Sequence, residues 1–234
     1  MKNACIACAA TILACAATYP PALAAAEGKP APRPGYINHI PPEPPEARKA
    51  RHARIAGLRG RVMLLVHRGA SKLAPENTLE AYAAALDGGA DGIEIDIRRS
   101  KDGVLYIHHD DVLGRIFDGT GPVREKTYYD LLGCRLKKAF GPATARTRIP
   151  TLAAVLTLAR QRCALLHLDV KEPGLDEDIA RMLDEADMWD HVVHITPSPN
   201  SQKLESDRRL KLEAYKGWFH EAGVTSESRA AFMA

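Results

Sequence analysis

Residues 62–110 read VMLLVHRGASKLAPENTLEAYAAALDGGADGIEIDIRRSKDGVLYIHHD, and the fold class follows from this stretch. Val62 to Val66 is a continuous apolar run, as expected of a strand covered on both faces. Thr78 to Leu86 has helical composition and should stop at Gly88-Gly89. Gly92 to Ile97 sets Ile93, Ile95 and Ile97 against Glu94 and Asp96 with a period of two, so the carboxylates share one strand face. Asp102-Gly103 marks a tight turn, and Val104 to Ile107 is the next expected strand.

The alternation continues on both sides. Glu46 to Leu58 is expected as a helix before the first strand. Beyond the quoted stretch, Leu152 to Arg160 and Asp176 to Ala186 read as helices. Leu165 to Val170 and His191 to Thr196 read as strands, and a weaker strand is expected at Leu210 to Ala214. Strands separated by helices imply βαβ units and a mostly parallel sheet, in an α/β fold. A parallel barrel of the TIM (β/α)8 type uses about 200–250 residues, more than the stretch from His67 onward provides. The barrel is therefore expected to lack its C-terminal strands. An open barrel leaves unpaired strand edges through which the chain would self-associate.

The first 26 residues are set apart as a signal peptide. Lys2 gives a positive start, Ala4 to Ala17 is apolar but too short to span a bilayer, and Ala22-Leu23-Ala24 and Ala24-Ala25-Ala26 are small-residue cleavage sites. The chain is thus expected outside the cytoplasm, periplasmic or secreted. An alternative is a membrane tether through lipidated Cys15, since Ile12-Leu13-Ala14-Cys15 loosely resembles a lipoprotein box. Residues 27–47 are rich in proline and read as an extended linker, leaving 48–234 for the barrel domain. A net charge of +3 is too small to argue for nucleic acid. Arg48, Lys49, Arg51, Arg54, Arg59 and Arg61 form a basic run, expected as a solvated helix face. Outside the leader only Cys134 and Cys163 remain, either as one disulfide or as two separate thiols.

The chemistry-bearing residues cluster at strand ends. Glu94 and Asp96, held close, repel each other unless a cation sits between them or one is protonated. Hard oxygen ligands favour Mg²⁺ or Ca²⁺. His67-Arg68-Gly69 follows the first strand, where a parallel barrel opens its active face. A histidine there can exchange protons near neutral pH, and an arginine can fork onto phosphate. His109-Asp110 follows the strand at Val104 to Ile107, with Asp110 expected to orient His109 or its loop. His108, by alternation, faces away, while His167 shares its strand face with Asp169. His191 and His194 are expected to be structural.

The stretch HRGASKLAPENTLEAYAAALDGGADGIEIDIRRSKDGVLYIHHDDVLGRIFDGTG resembles the signature region of the glycerophosphodiester phosphodiesterase family, a phospholipase C-like barrel. It carries that family's His-Arg-Gly, Pro-Glu-Asn-Thr, Gly-Ala-Asp before a Glu-x-Asp strand, Asp-Gly turn, His-Asp-x-x-Leu-x-Arg and Gly-x-Gly. IPTLAAVL and LLHLDVKEP resemble later family segments. The resemblance implies metal-dependent hydrolysis of glycerophosphodiesters to sn-glycerol 3-phosphate and an alcohol. By the same resemblance His67 and His109 are the catalytic acid–base pair, and Glu94, Asp96 and Asp169 hold the divalent cation. Arg68 and Lys171 hold the substrate phosphate, with Glu76 close by in a supporting position. Two departures are visible: Asp169 stands where a glutamate is usual, and Ile116-Phe117 where threonines are common. Two other readings stay open: a phospholipase D-like or lysophospholipid phosphodiesterase on the same barrel, and an inactive exported protein that binds phosphate or polyanions.

Overall fold

The computed structural model describes residues 45–58 and 63–214. The expected leader, Cys15, the linker up to Pro44, Arg59, Arg61 and Val62 lie outside the described residues. No helix among those described is long and apolar enough to cross a membrane.

The first helix, α1, spans Pro45–Leu58. It opens on a proline assigned to the linker by composition; the first turn tolerates proline because its N–H has no intrahelical partner there. Strand β1 (Leu65–Val66) leads through a loop to α2 (Leu79–Asp87), then β2 (Gly92–Arg99) and β3 (Leu105–Ile107). An insertion carrying α3 (Tyr128–Gly133) leads to α4 (Leu152–Arg162), β4 (Leu165–Val170), α5 (Asp176–Ala186), β5 (Val192–Ile195) and α6 (Gln202–Ala214). The expected strand at Leu210–Ala214 is instead the last turns of α6. Apolar side chains two apart suggest a strand there, but the charged sequence around them packs as a helix, buried at Leu204. The helix also donates from Arg208 to the carbonyls of Val192 and Val193 at 3.0 and 2.7 Å.

The sheet runs β1-β2-β4-β5, parallel throughout, and forms part of a (β/α) barrel. One strand departs from the parallel set. β3 pairs antiparallel with the end of β2, Ile97 opposite Ile107, because the Asp102-Gly103 turn closes a hairpin too short for a crossover. Asp102 fastens that turn by accepting from Ser100 Oγ at 2.6 Å and from the Tyr128 amide at 2.8 Å.

Helix starts follow their caps. Thr78 accepts from the Ala81 amide, Thr151 from that of Ala154, and Thr127 forms a reciprocal capping box with Asp130. The isoleucines of β2 face outward against α2, α4 and α5, in one core with Leu166, Leu168, Val170, Val155 and Ile179. Each such side chain, fully buried, contributes roughly 2 kcal/mol. A second core, of Tyr106, Leu113, Phe117, Val123, Tyr128, Leu131 and Ile149, holds the insertion.

The basic run of α1 is a solvated face only in part: Arg48, Lys49 and Arg54 are exposed, but one member turns inward. Arg51 is buried, and both Arg48 and Arg51 pair with Asp187 at the end of α5. Cys134 and Cys163 are separate free thiols, at the ends of α3 and α4.

Gly92 opens β2 directly beside Leu165 in the parallel register. A Cβ there would stand 2.4 Å from the Leu165 carbonyl oxygen, a backbone atom that cannot turn away. Gly92→Ala should therefore destabilise the fold by about 3 kcal/mol, measured as a lowered urea midpoint with an unchanged slope.

Candidate active site

Register brings the acids together. On the inner face of the sheet Asp96 lies directly opposite Asp169, and Glu94 opposite His167. Ligand oxygens of Glu94, Asp96 and Asp169 all come within 4.8 Å of one another. Glu94 and Asp96 are buried, so the charges are not diluted by water. Lys171, two residues beyond Asp169, places its ammonium 2.8 Å from Asp96 and 2.5 Å from Asp169. The Arg68 guanidinium stands 3.5 Å from Asp96. Both cationic side chains expected at the phosphate thus point into the carboxylate cluster.

Glu94 receives much less compensation. It accepts one hydrogen bond, from the Arg68 backbone amide at 2.9 Å, and the His67 ring lies 4.0 Å away. Burial, reinforced by the charge of Asp96, pushes its pKa up to about 7. At Asp96, burial acts upward, but hydrogen bonds from Lys171 and Asn77 bring the carboxyl below its ordinary value. An all-oxygen donor set with one under-neutralised member fits a hard divalent cation. The Lys171 ammonium marks where positive charge is already drawn.

The His67 loop is shaped by its backbone. Arg68 and Gly69 both take left-handed conformations, φ 55° and 78°. For arginine this is a strained conformation, here held by the bond from its amide to Glu94. At Gly69 a Cβ would meet the Ala81 backbone at 2.8 Å, so only glycine lets the loop lie against α2. The His67 side chain is 71% exposed and free to meet a ligand.

His109 arrives by the hairpin. The His108 amide donates to the Asp96 carbonyl at 3.0 Å, so β3 returns its end to the middle of β2. His109 Nδ1 lies 2.8 Å from Asp110 Oδ1. Burial acts to raise the Asp110 pKa, but hydrogen bonds from Arg115 and His109 hold it well below the usual carboxylate range. A carboxylate only accepts, so Nδ1 is the donor and Nε2 is the nitrogen left to exchange protons. Arg115 donates to Asp110 at 2.6 Å and to Glu76 at 2.6 Å, and Glu76 accepts from Arg68 at 3.1 Å. A chain of charges, Arg68–Glu76–Arg115–Asp110–His109, therefore joins the two histidine loops.

Four residues of this site went unassigned in the sequence. Asn77 donates to Asp96 at 2.7 Å and accepts from the buried Tyr82 hydroxyl at 2.7 Å. Arg115 makes the bridge just described. Arg98, buried on the same face as Glu94 and Asp96, donates to the carbonyls of His108 and His109 and to Asp111 and Glu172. The strand period signalled Arg98, and Asn77 and Arg115 lie inside quoted motifs; Tyr82 is one helical turn beyond Thr78. The other histidines give no ligand atom to the carboxylate cluster, although His167 borders it, opposite Glu94. His108 packs in the interior near Phe117, with centroids 6.4 Å apart, and His191 meets the Ala164 carbonyl at 2.6 Å. His167 lies on the inner face against His194 and 2.9 Å from Thr196; burial and the His194 ring bring its pKa down to about 4.

Known proteins carry a similar sequence and fold. The Glycerophosphoryl diester phosphodiesterase family matches residues 67–210. A glycerophosphodiester phosphodiesterase of Caldanaerobacter subterraneus is 31% identical over 169 residues, covering 70% of this chain and 69% of the relative. One from Bacillus altitudinis is 34% identical, over 56% of each protein, so the chain spans little more than half of that relative. The crystal structure of a glycerophosphodiester phosphodiesterase from Agrobacterium tumefaciens superposes with a TM-score of 0.58 at 32% identity, covering 64% of both chains. A phosphodiesterase of Oleispira antarctica, solved with its product sn-glycerol 3-phosphate, superposes with a TM-score of 0.50 at 26% identity, over 62% of this chain and 72% of that one. With more than half its length inside the matched region, this chain belongs to the glycerophosphoryl diester phosphodiesterase family.

Proposed function

We propose that this chain hydrolyses glycerophosphodiesters to sn-glycerol 3-phosphate and an alcohol, using a divalent cation, Mg²⁺ or Ca²⁺, and His67 and His109 as acid and base. The observation that carries this reading is the meeting of Glu94, Asp96 and Asp169, with His67 beside Glu94 and the His109 hairpin beside Asp96. The product complex of the Oleispira antarctica neighbour supports sn-glycerol 3-phosphate as the product here as well.

Glu94, Asp96 and Asp169 would hold the cation, which when bound supplies charge neutralisation at a non-bridging phosphoryl oxygen. Lys171, whose ammonium reaches Asp96 and Asp169, would pair with the substrate phosphate. Arg68, at the same mouth, adds a second positive group for the charge that grows in the transition state. One imidazole takes the proton of the attacking hydroxyl, either from water or from the neighbouring glycerol hydroxyl, and in the second case water must then open the cyclic phosphodiester to give sn-glycerol 3-phosphate. The other delivers a proton to the departing alkoxide. His109, with Nδ1 committed to Asp110, works through Nε2; exposed His67 is open to the leaving group and to solvent.

Three outcomes test the reading. His67→Ala and His109→Ala should each cut kcat on glycerophosphocholine by at least about a hundredfold. Calorimetry should show cation affinity nearly intact in both; wild-type turnover in either variant would end the proposal. Chelation should abolish activity until Mg²⁺ or Ca²⁺ is returned, and Asp96→Asn should neither bind cation nor recover. Asp110→Asn, which removes the charge facing His109, should lower kcat about tenfold to a hundredfold with little change in KM, and an unchanged kcat there would show that His109 needs no orienting partner.

A further inference from the structure

The insertion between β3 and α4 carries charge that the chemistry above does not use. Between Arg115 and Arg148 there are eight lysines and arginines against three acids, while the whole chain has a net charge of only +3. Arg115 belongs to the site, but Lys137, Lys138 and Arg146 are exposed. Lys72, on the His67 loop, is exposed as well. None of these four forms an ion pair among the described residues.

The fold gathers them beside the mouth. The Lys137 amide donates to the Ile116 carbonyl at 3.0 Å, and its ammonium to the Gly114 carbonyl at 2.7 Å, next to Arg115. Gly141 lies so close to the Leu73 carbonyl that a side chain there has no room. Thr147 donates to Glu80 at the start of α2 at 2.5 Å. Residues 137–147 therefore wrap from the His109 loop to the His67 loop, bringing Lys137, Lys138 and Arg146 to the rim where Lys72 stands.

Apolar side chains are exposed on the same two loops. Five large hydrophobic residues are exposed among those described: Leu64, Leu73, Val112, Tyr129 and Leu210. Two of them, Leu73 and Val112, lie on the loops that carry His67 and His109. A soluble polyanion would be met by cations alone. Cations accompanied by exposed aliphatic side chains match a lipid surface, whose headgroups are anionic and whose acyl boundary is apolar.

We propose that this rim docks the mouth of the site onto an anionic lipid surface, through Lys72, Lys137, Lys138 and Arg146, with Leu73 next to Lys72 and Val112 exposed on the His109 loop. Docking itself needs no turnover. Its bearing on the substrate, a glycerophosphodiester met at a membrane and not free in solution, rests on the function proposed above.

The test is co-sedimentation of the full chain with vesicles of equal phosphatidylglycerol and phosphatidylcholine, compared with phosphatidylcholine alone. Binding is expected only to the anionic vesicles and should weaken with salt. Each cation near such a surface is worth about a fivefold gain in affinity. The triple variant K72Q/K138Q/R146Q should therefore bind on the order of a hundredfold more weakly, yet hydrolyse soluble glycerophosphocholine at the wild-type rate. Leu73→Ser combined with Val112→Ser should weaken vesicle binding without altering binding to polyphosphate. Absence of binding to anionic vesicles, or undiminished binding by the triple variant, overturns the proposal. So does polyphosphate binding as tight as vesicle binding with no effect of the serine pair, which would identify a polyanion surface instead. Vesicle binding by a chain that shows no turnover would overturn the enzymatic reading alone.

Discussion

Asp96 and Asp169 face each other across a parallel strand pair, and Glu94 reaches toward them from two residues earlier. Like charges in such positions repel, and burial strengthens the repulsion because little water screens it. The surroundings answer that repulsion. Lys171 reaches two of the three acids, Arg68 approaches one, and Asn77, itself held by Tyr82, donates to Asp96. The compensation stops short at Glu94, whose carboxyl is pushed up to about 7 by burial and by Asp96. A site that already draws in an ammonium and still leaves one acid under-neutralised is organised for more positive charge than its own side chains supply.

The isoleucines of β2 make this arrangement obligatory. Ile93, Ile95 and Ile97 fill the core against the helices, and a one-residue slip would turn them inward and the acids outward. Apolar burial on one face thus fixes the acids on the other. The same alternation aims Arg98 inward, where four hydrogen bonds tie β2 to the carbonyls of His108 and His109, to Asp111 and to Glu172. Arg115 also braces the His109 loop, but it is nearly half exposed, and exposed ion pairs contribute little, at most about 1 kcal/mol each. The buried guanidinium is the firmer anchor, since removing it would leave buried carbonyls without a donor.

Much of this was legible in residues 62–110, because a period of two and a tight turn are local properties of the chain. The carboxylate face, the helix ending at Gly88 and the return of the chain at Asp102-Gly103 needed no tertiary information. What escaped depended on distant partners. Arg51 reads as a surface cation until Asp187, far along the chain, is known to cover it. The insertion core around Phe117 and Tyr128 has no clear period, since its apolar residues come from turns and a helix of only six residues. Leu210 lies in a helix because Leu204 and Arg208 on the same segment find β5, a choice that local alternation does not record.

The aspartate at position 169, where the family resemblance leads one to expect glutamate, is consistent with the register. Asp96 and Asp169 are level, so two short side chains already bring their oxygens together without folding back. Glu94 lies about 6.6 Å away along its strand at the usual rise, and its extra methylene makes up part of that distance. One long arm and two short ones converge, whereas a longer side chain at 169 would crowd the place that Lys171 now reaches at 2.5 Å. The choice of acid at 169 is thereby coupled to the position of the lysine two residues on. Both follow from which residues β2 and β4 set side by side, so the chemistry of the site is written in strand pairing before any ligand arrives.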